Sequence, residues 1–378
     1  MKKEIRVATV FSGIGSPEQA LVRLEQPHRI IFACDNGERL IDVDYNKHFE
    51  KIKSLGSAKE KREYVDKLYA EHTRQINYVQ QSYLANYKVE DDNFYQDVML
   101  LDGSDYCGKV DLFVGGSPCQ SFSIAGARGG FEDTRGTLFF EYCRLVKEIQ
   151  PEVFIYENVY GVLTHDKGKT WETMQNVFSE LEYHFSWQIL DAKDYGIPQG
   201  RRRLFVVGFK SKEAADRFEF PPKINLSECP LPTMQSMLED NMAVGSMQSV
   251  DGKLQKIDNK KGEPEERYYL SDKLREYVLA PGTKHFMHPE AKTDLPIARA
   301  IVKNMGNTYR ASVNNYVHTN GRLRHLTMRE VHRLMGYPDS YKIVVSKAQA
   351  YKQAGNSIVV DVMMNLEKQI LIAQGWDK

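Results

Sequence analysis

Gly115-Gly-Ser-Pro118-Cys119-Gln120 places a cysteine just beyond the apolar run Val110-Asp-Leu-Phe-Val114. A thiolate at the end of a strand is a soft nucleophile when neighbouring cations lower its pKa, and the proline fixes the backbone that presents it. A lone cysteine is more often a small buried hydrophobe, so the segment alone does not decide. Glu157 ends the run Val153-Phe-Ile-Tyr156 and opens Glu157-Asn158-Val159. There a carboxyl serves either as a surface or helix-start partner or, with a raised pKa, as a general acid. In Gln199-Gly-Arg201-Arg202-Arg203, strand alternation puts Arg201 and Arg203 on one face and Arg202 on the other. Planar guanidinium forks suit an anion or a base edge, although charge clusters also mark ordinary solvated strand ends. Phe11-Ser12-Gly-Ile14-Gly-Ser16 is a Gly-x-Gly turn in which Phe11 can face a cation. Asp35 and Asp97 are acids of the kind that hold ribose hydroxyls and adenine amines, or cap helices.

These residues need a frame, and the hydrophobic pattern supplies one. Short β-rich runs at 5–11, 30–34, 110–114, 153–156 and 203–209 alternate with helical patterns at 17–24, 138–149 and 171–181. That rhythm predicts an α/β fold with a doubly wound, mostly parallel sheet. Ligands of such sheets gather at the C-terminal strand edge, where Asp35, Gly116 and Glu157 each follow an apolar run. Residues 42–88 interrupt the rhythm with Lys, Glu and Tyr around Val65, Leu68, Tyr69, Ile76, Val79 and Tyr83 at helical spacing. We read one or two inserted amphipathic helices there, packed as an accessory hairpin rather than reserved for DNA or a partner. Residues 211–325 interrupt it again with weak periodicity, prolines and scattered cations, which predicts a separate irregular domain of short strands. A helix at 326–335 and a final amphipathic helix at 357–372 follow. The expected organisation is thus 1–210 with 340–378 as one domain, 211–325 as a second, and 326–339 as the connection.

Lys+Arg and Asp+Glu both total 51, giving zero net charge, so any polyanion surface must arise from local clustering. That excludes little except a histone-like or coat protein. The 5 cysteines form no Cys-x-x-Cys clamp and do not suit a disulfide framework. A reduced, cytoplasmic setting is expected, without a metal. The start, Met-Lys-Lys, is followed by an apolar stretch broken at Arg6, too short for a signal peptide, and no later run approaches a membrane span.

Taken in order, the motifs resemble those of the DNA (cytosine-5)-methyltransferase family of bacterial and phage restriction-modification systems. The matching blocks are FSGIGS (11–16), GGSPCQSFSIAG (115–126), RGTLFFEY (135–142), ENV (157–159), DYGIPQGRRR (194–203), RLRHLTMREVHRLMGYP (322–338) and QAYKQAGNS (349–357). The resemblance implies a Rossmann-like, S-adenosylmethionine-dependent fold with a smaller target-recognition domain, assigned to 211–325. It implies that Cys119 adds to carbon 6 of cytosine and that Glu157 engages ring nitrogen 3. Arg203 with Arg201 orients the base and the nucleophile's surroundings, and Gln120 and the loop through Arg135 close over a flipped nucleotide. Phe11, Ser12, Ile14, Asp35, Asn36, Asp97, Val98, Pro118, Leu138, Asn356 and Ser357 fall at positions of the S-adenosylmethionine pocket. Thr9 and Ser16 depart from the Asp and Gly more usual around the first block, and Asn36 stands where an apolar or aromatic residue packs on the adenine. The implied partner is double-stranded DNA, bound by a monomer that acts apart from any cognate restriction endonuclease. A branch that methylates tRNA carries a Cys-Phe-Thr signature, absent here. A silent DNA-binding relative would have no need of Cys119, Glu157, Arg201 and Arg203 together.

Overall fold

The computed structural model describes residues 2–118, 138–225, 231–240, 262–280, 291–305 and 309–378, and the backbone alone at 245–248 and 254–257. Two compact units are distinguished by their internal contacts: residues 1–190, 202–220 and 367–378 form the first, and 191–201 with 221–366 the second.

In the first unit the chain runs β1 (Ile5–Val10), α1 (Ser16–Arg23) and β2 (His28–Cys34), then α2 (Tyr45–Lys53), α3 (Ala58–His72) and α4 (Tyr78–Asn86). β3 (Phe94–Tyr95), β4 (Leu112–Gly115), α5 (Leu138–Ile149), β5 (Val153–Val159), α6 (Lys169–Ser179) and β6 (His184–Asp191) follow. After β7 (Gln199–Gly200), which belongs to the second unit, come β8 (Arg202–Phe209) and α7 (Lys212–Arg217). The seven-stranded sheet has the order β3-β2-β1-β4-β5-β8-β6. Pairing is parallel from β3 through β5, and β8 joins β5 antiparallel. This is the doubly wound, mostly parallel sheet that the alternation predicts. Its order reverses between β1 and β4, the place where such folds open a crevice for ligands.

β1 and β4 are buried along almost their whole length, as continuous Val/Ile/Leu-rich runs with both faces covered should be. α5 buries Phe139, Phe140, Tyr142, Cys143, Leu145, Val146 and Ile149 against that sheet, in one core with Phe113, Phe154, Tyr156 and Phe178. The register sets five residues in one row across the sheet: Tyr95, Cys34, Val10, Gly115 and Tyr156. The segments of Phe11, Asp35 and Gly116 leave the sheet just beyond this row, and Glu157 follows it within β5.

The 42–88 segment forms three helices, one more than its pattern predicts: α3 and α4 carry the two apolar stripes, and the additional α2 starts at Asp44, whose side chain accepts from the Lys47 N–H. These helices help build a satellite core of Ile41, Ile52, Val65, Leu68, Tyr69 and Leu100.

In the second unit, β9 (Gly245–Gln248) pairs antiparallel with β10 (Leu254–Ile257), and α8 (Asp272–Leu279) precedes β11 (Ala298–Arg299). β12 (Tyr316–Thr319) and β13 (Arg322–His325) form a hairpin, followed by α9 (Met328–Leu334), α10 (Lys347–Asn356) and α11 (Val360–Gln374). Short strands and irregular chain agree with the weak periodicity. α11 contributes residues up to 366 here and the remainder to the first unit. The grouping differs from the expected boundaries at 191–201, 211–220 and 326–366. For 191–201 the reason is hydrogen bonding: β7 pairs with β11, and Gln199 donates to the Leu334 carbonyl and accepts from the Ile301 N–H.

Candidate active site

Beyond Gly115 the described chain continues through Gly116, Ser117 and Pro118, and Pro118 is exposed. Cys119, Gln120 and the expected lid at 121–135 lie outside the described residues. The chain up to Pro118 is held by β5. Asn158, 1% exposed, donates from its side-chain amide to the Ser117 carbonyl at 3.2 Å and the Tyr156 hydroxyl at 2.7 Å. The Ser117 hydroxyl meets the same Tyr156 hydroxyl at 2.7 Å. The residue preceding Pro118 is therefore tied to β5 by two polar contacts, and the Asn158–Tyr156 bond braces the pair that makes them.

Glu157, next in β5, pairs with Arg203 of β8, Nε to Oε1 at 3.0 Å. The antiparallel register sets Val159 opposite Arg203, so the guanidinium reaches back to a residue two positions along. Gly116 is required beside this pair. A Cβ there would stand 2.8 Å from both the Glu157 carbonyl oxygen and Oε2, closer than non-bonded atoms allow. The carboxyl, its arginine and the segment leading into Cys119 are thus parts of one construction on β4, β5 and β8.

Arg201 has other work. It is buried and donates to the carbonyls of Ile301 at 2.6 Å, Gly355 at 2.9 Å and Ser357 at 2.7 Å, all within the second unit. β8 begins at Arg202, so the alternation expected across 201–203 does not extend to Arg201. Gly355 suits this clamp: a Cβ would lie 2.3 Å from the Lys303 nitrogen. Asn356 ends α10 and is exposed, whereas Ser357 is buried with its hydroxyl 2.9 Å from that of Tyr337.

Among the expected cofactor residues of the first unit, Phe11 has φ +53°, a conformation rare for a bulky side chain, between β1 and Gly13 at φ +54°. Ile14 is fully buried, and Ser12 ties the ends of β1 and β2, accepting from the Cys34 N–H at 3.0 Å. Thr9, one of the departures, reaches the Ser12 hydroxyl at 2.8 Å and buried Glu18 at 2.9 Å. Asp35 accepts from the Gly13 N–H at 2.9 Å and the Gly37 N–H at 2.8 Å, which joins the first two strand-end loops. Asn36 turns its amide to the Arg39 carbonyl and accepts from the Glu38 N–H, so its polar group serves its own loop. Asp97 and Val98 are buried, and Leu138 half-buried, at the start of α5. Burial pushes the Asp97 carboxyl above its ordinary value, opposed by hydrogen bonds from the Tyr69 hydroxyl and the Met99 N–H.

The chemistry of this donor set fits a nucleoside carrying a positive charge. Carboxylates follow β2 and β3, apolar Ile14, Val98 and Leu138 stand near the same edge, and acidic Glu18 occupies the first turn of α1. A pyrophosphate would instead call for cations or a free helix start. Among the described residues no group of His, Cys, Asp or Glu is placed to hold a metal ion, and no helix is long and apolar enough to cross a membrane.

The pattern in the sequence put Gly116 and Asn158 at the ligand edge without a role, and did not single out Tyr69, which reaches Asp97, or Asn77, which reaches the Asp35 carbonyl. Gly-Gly and ENV were visible as motifs, but their contacts were not.

A family model described as C-5 cytosine-specific DNA methylase matches residues 68–371. The Type II methyltransferase M.HpaII of Haemophilus parainfluenzae is 36% identical over 314 residues, covering 77% of this chain and 80% of that protein. M.HhaI of Haemophilus parahaemolyticus is 35% identical over 271 residues, 69% of this chain and 75% of that one. M1.ScrFI of Lactococcus lactis subsp. cremoris is 32% identical over 292 residues, 77% and 68% respectively. In fold, the S. pombe Dnmt2 methyltransferase superposes with a TM-score of 0.61 at 17% identity, covering 98% of this chain and 99% of its own. The Entamoeba histolytica methyltransferase EhMeth gives 0.57 at 16% identity, with coverage of 98% and 99%. Sheet order, strand-end chemistry and relatives agree: the chain belongs to the C-5 cytosine-specific DNA methylases.

Proposed function

We propose that the protein methylates carbon 5 of cytosine within a short duplex DNA sequence, using S-adenosylmethionine and a transient covalent bond from Cys119. The observation that carries this reading is the Glu157–Arg203 pair at 3.0 Å, built against Gly116 on the segment that leads into Cys119.

Carbon 5 of cytosine is a poor nucleophile until something adds to carbon 6. The Cys119 thiolate forms that bond, which turns one difficult step into easier ones. Glu157, held by Arg203, delivers or shares a proton at ring nitrogen 3 as charge develops there. S-adenosylmethionine, when bound, supplies an electrophilic methyl group. Phe11, Ile14, Asp35, Asp97, Val98 and Leu138 would hold it, with Pro118, Asn356 and Ser357 as further members. Loss of the carbon 5 proton to water and breakage of the sulfur–carbon 6 bond return Cys119 as the thiolate. The target atoms sit inside the base stack, so the nucleotide must swing out, at a cost of a few kcal/mol. Residues 211–325 are assigned to reading base edges, and Arg201, whose guanidinium is taken up by carbonyls of its own unit, orders that backbone rather than touching the base.

The test is a duplex carrying 5-fluorocytosine at a methylated site, identified by bisulfite sequencing of DNA from an otherwise unmethylated host. The wild-type protein with S-adenosylmethionine forms a gel-stable adduct, because fluorine cannot leave as a proton does. Cys119→Ser forms none yet still binds the duplex. Equal trapping by Cys119→Ser, or no trapping by the wild type, would overturn the reading.

A further inference from the structure

The helices inserted between β2 and β3 converge on the two acid-bearing loops of the expected cofactor site. Tyr69 of α3 is 2% exposed and donates its hydroxyl to Asp97 Oδ2 at 2.6 Å. The other carboxylate oxygen accepts from the Met99 N–H at 3.0 Å. The Tyr45 hydroxyl, on α2, donates to the Ile41 carbonyl at 3.5 Å and stands near enough to Asp97 to favour its charged form. The Tyr69 ring is itself held, with the Arg39 guanidinium 4.8 Å from its centroid. Arg39 in turn donates to the Asn36 carbonyl at 2.9 Å, to the Gln75 carbonyl at 3.3 Å and to Gln96 Oε1. Asn77 donates to the Asp35 carbonyl at 2.8 Å and to Gln96 Oε1 at 3.0 Å.

An ionised carboxylate is an acceptor only, with about four lone-pair sites over its two oxygens. Met99 and the Tyr69 phenol use some of these and leave others for a donor on a ligand. Burial favours the neutral acid, which would turn one oxygen into a donor. The hydrogen bond from the Tyr69 phenol acts the other way, because it stabilises the charged form. An exocyclic amine needs an acceptor, whereas a ring carbonyl needs a donor. The protonation and orientation of Asp97 therefore decide which purine is taken.

We propose that Tyr69, assisted by Tyr45, is a specificity-determining positioning residue that holds Asp97 as an acceptor and so selects a 6-aminopurine nucleoside over its 6-oxo counterpart. This rests on the reading that Asp97 meets the adenine. It gives the 42–88 insertion a function: it carries the residues that set the acid of the cofactor site.

The test is calorimetric binding of S-adenosylhomocysteine and S-inosylhomocysteine to the full chain, as wild type, Tyr69→Phe, Tyr45→Phe and Asp97→Asn. The wild type prefers the adenosyl ligand. Tyr69→Phe lowers that preference roughly tenfold, the loss of one charge-assisted hydrogen bond, mainly by weakening the adenosyl ligand. Its KM for S-adenosylmethionine rises by more than its kcat falls. Tyr45→Phe moves the preference the same way by less, and carries the test if Tyr69→Phe loses its cooperative thermal transition. If Asp97→Asn abolishes the preference while both phenylalanine variants keep it, the proposal is wrong and the reading of Asp97 stands. If Asp97→Asn also keeps the preference, Asp97 does not meet the purine and both fall.

Discussion

Asn158 shows how a strand residue adjacent to the proposed catalytic acid, Glu157, can act on a different segment altogether. Its side-chain amide donates to the Ser117 carbonyl and to the Tyr156 hydroxyl, and its oxygen accepts from the Val159 N–H at 2.8 Å. Replacement by alanine leaves those buried groups without their partner, at a cost of about 1–3 kcal/mol. The larger consequence is positional, because Ser117 lies two residues before Cys119. Misplacement on the order of 1 Å can lower a rate about 100-fold. Asn158→Ala should therefore lower kcat by roughly 10- to 100-fold and leave S-adenosylhomocysteine affinity near wild type. Steady-state methylation and calorimetry check this, and a matching loss of cofactor affinity would indicate a general collapse of the strand edge. Asn158 was visible within ENV, but nothing in its spacing names Ser117 as its partner, 41 residues away.

The three inserted helices make the case at the level of elements. Amphipathic spacing predicts that Val65, Leu68 and Tyr69 face inward, and they do. It is silent on what they face, because a 3.6-residue period defines a buried stripe without naming the surface that covers it. Besides Tyr69 and Asn77, the segment reaches the first glycine turn. Tyr87, just past α4, donates its hydroxyl to the Gly15 carbonyl at 2.9 Å, and Tyr83 donates to buried Glu18 at 2.6 Å. Gly15 has φ +76°, and a Cβ on it would fall 2.2 Å from Tyr87 Cε2. Gly15→Ala must strain the backbone and displace the ring together. The left-handed conformation alone costs about 1–2 kcal/mol for a residue with a Cβ. The expected outcome is a lower melting temperature and weaker S-adenosylhomocysteine binding, measured by thermal unfolding with and without the ligand. An unchanged transition would show that the insertion does not press on this turn.

At the scale of the whole molecule, acid stability is set by buried groups that the reaction does not use. In the second unit, burial lowers His325 and His332 to about 4, and the His332 Nδ1 lies 2.7 Å from the Met328 carbonyl. In the unfolded chain each imidazole takes a proton near pH 6.5. Between pH 6.5 and about 4 the unfolded state binds more protons, so this contribution is complete above 6.5 and is lost as pH falls toward 4. For His332 the loss is on the order of 3 kcal/mol. Buried Glu18 and Glu367 in the first unit, whose carboxyls are raised by desolvation, pull the opposite way. The comparison of variants isolates the histidine. His332→Gln should flatten the fall in melting temperature between pH 6.5 and 4, and an identical slope would remove His332 as its source. The same unit contains the fully buried Arg324–Glu330 pair at 2.8 Å, which closes against the capping box of Thr327 and Glu330 at the start of α9.

The sequence by itself determined the kind of sheet, the order of its chemical groups and the edge at which they emerge. Strand ends are local: apolar runs stop where Phe11, Asp35, Gly116 and Glu157 begin, and parallel pairing carries those stops into one row. It did not reveal β6, whose His184, Ser186 and Gln188 break the apolar pattern at the sheet's edge, nor α10, whose polar face hides its period. Tertiary structure alone decided the partners. Arg201 and Arg203 are two residues apart and chemically identical, yet one is held by backbone carbonyls more than 99 residues away and the other by Glu157. A guanidinium takes whichever acceptors the fold brings within 3 Å, and those come from chain remote in sequence.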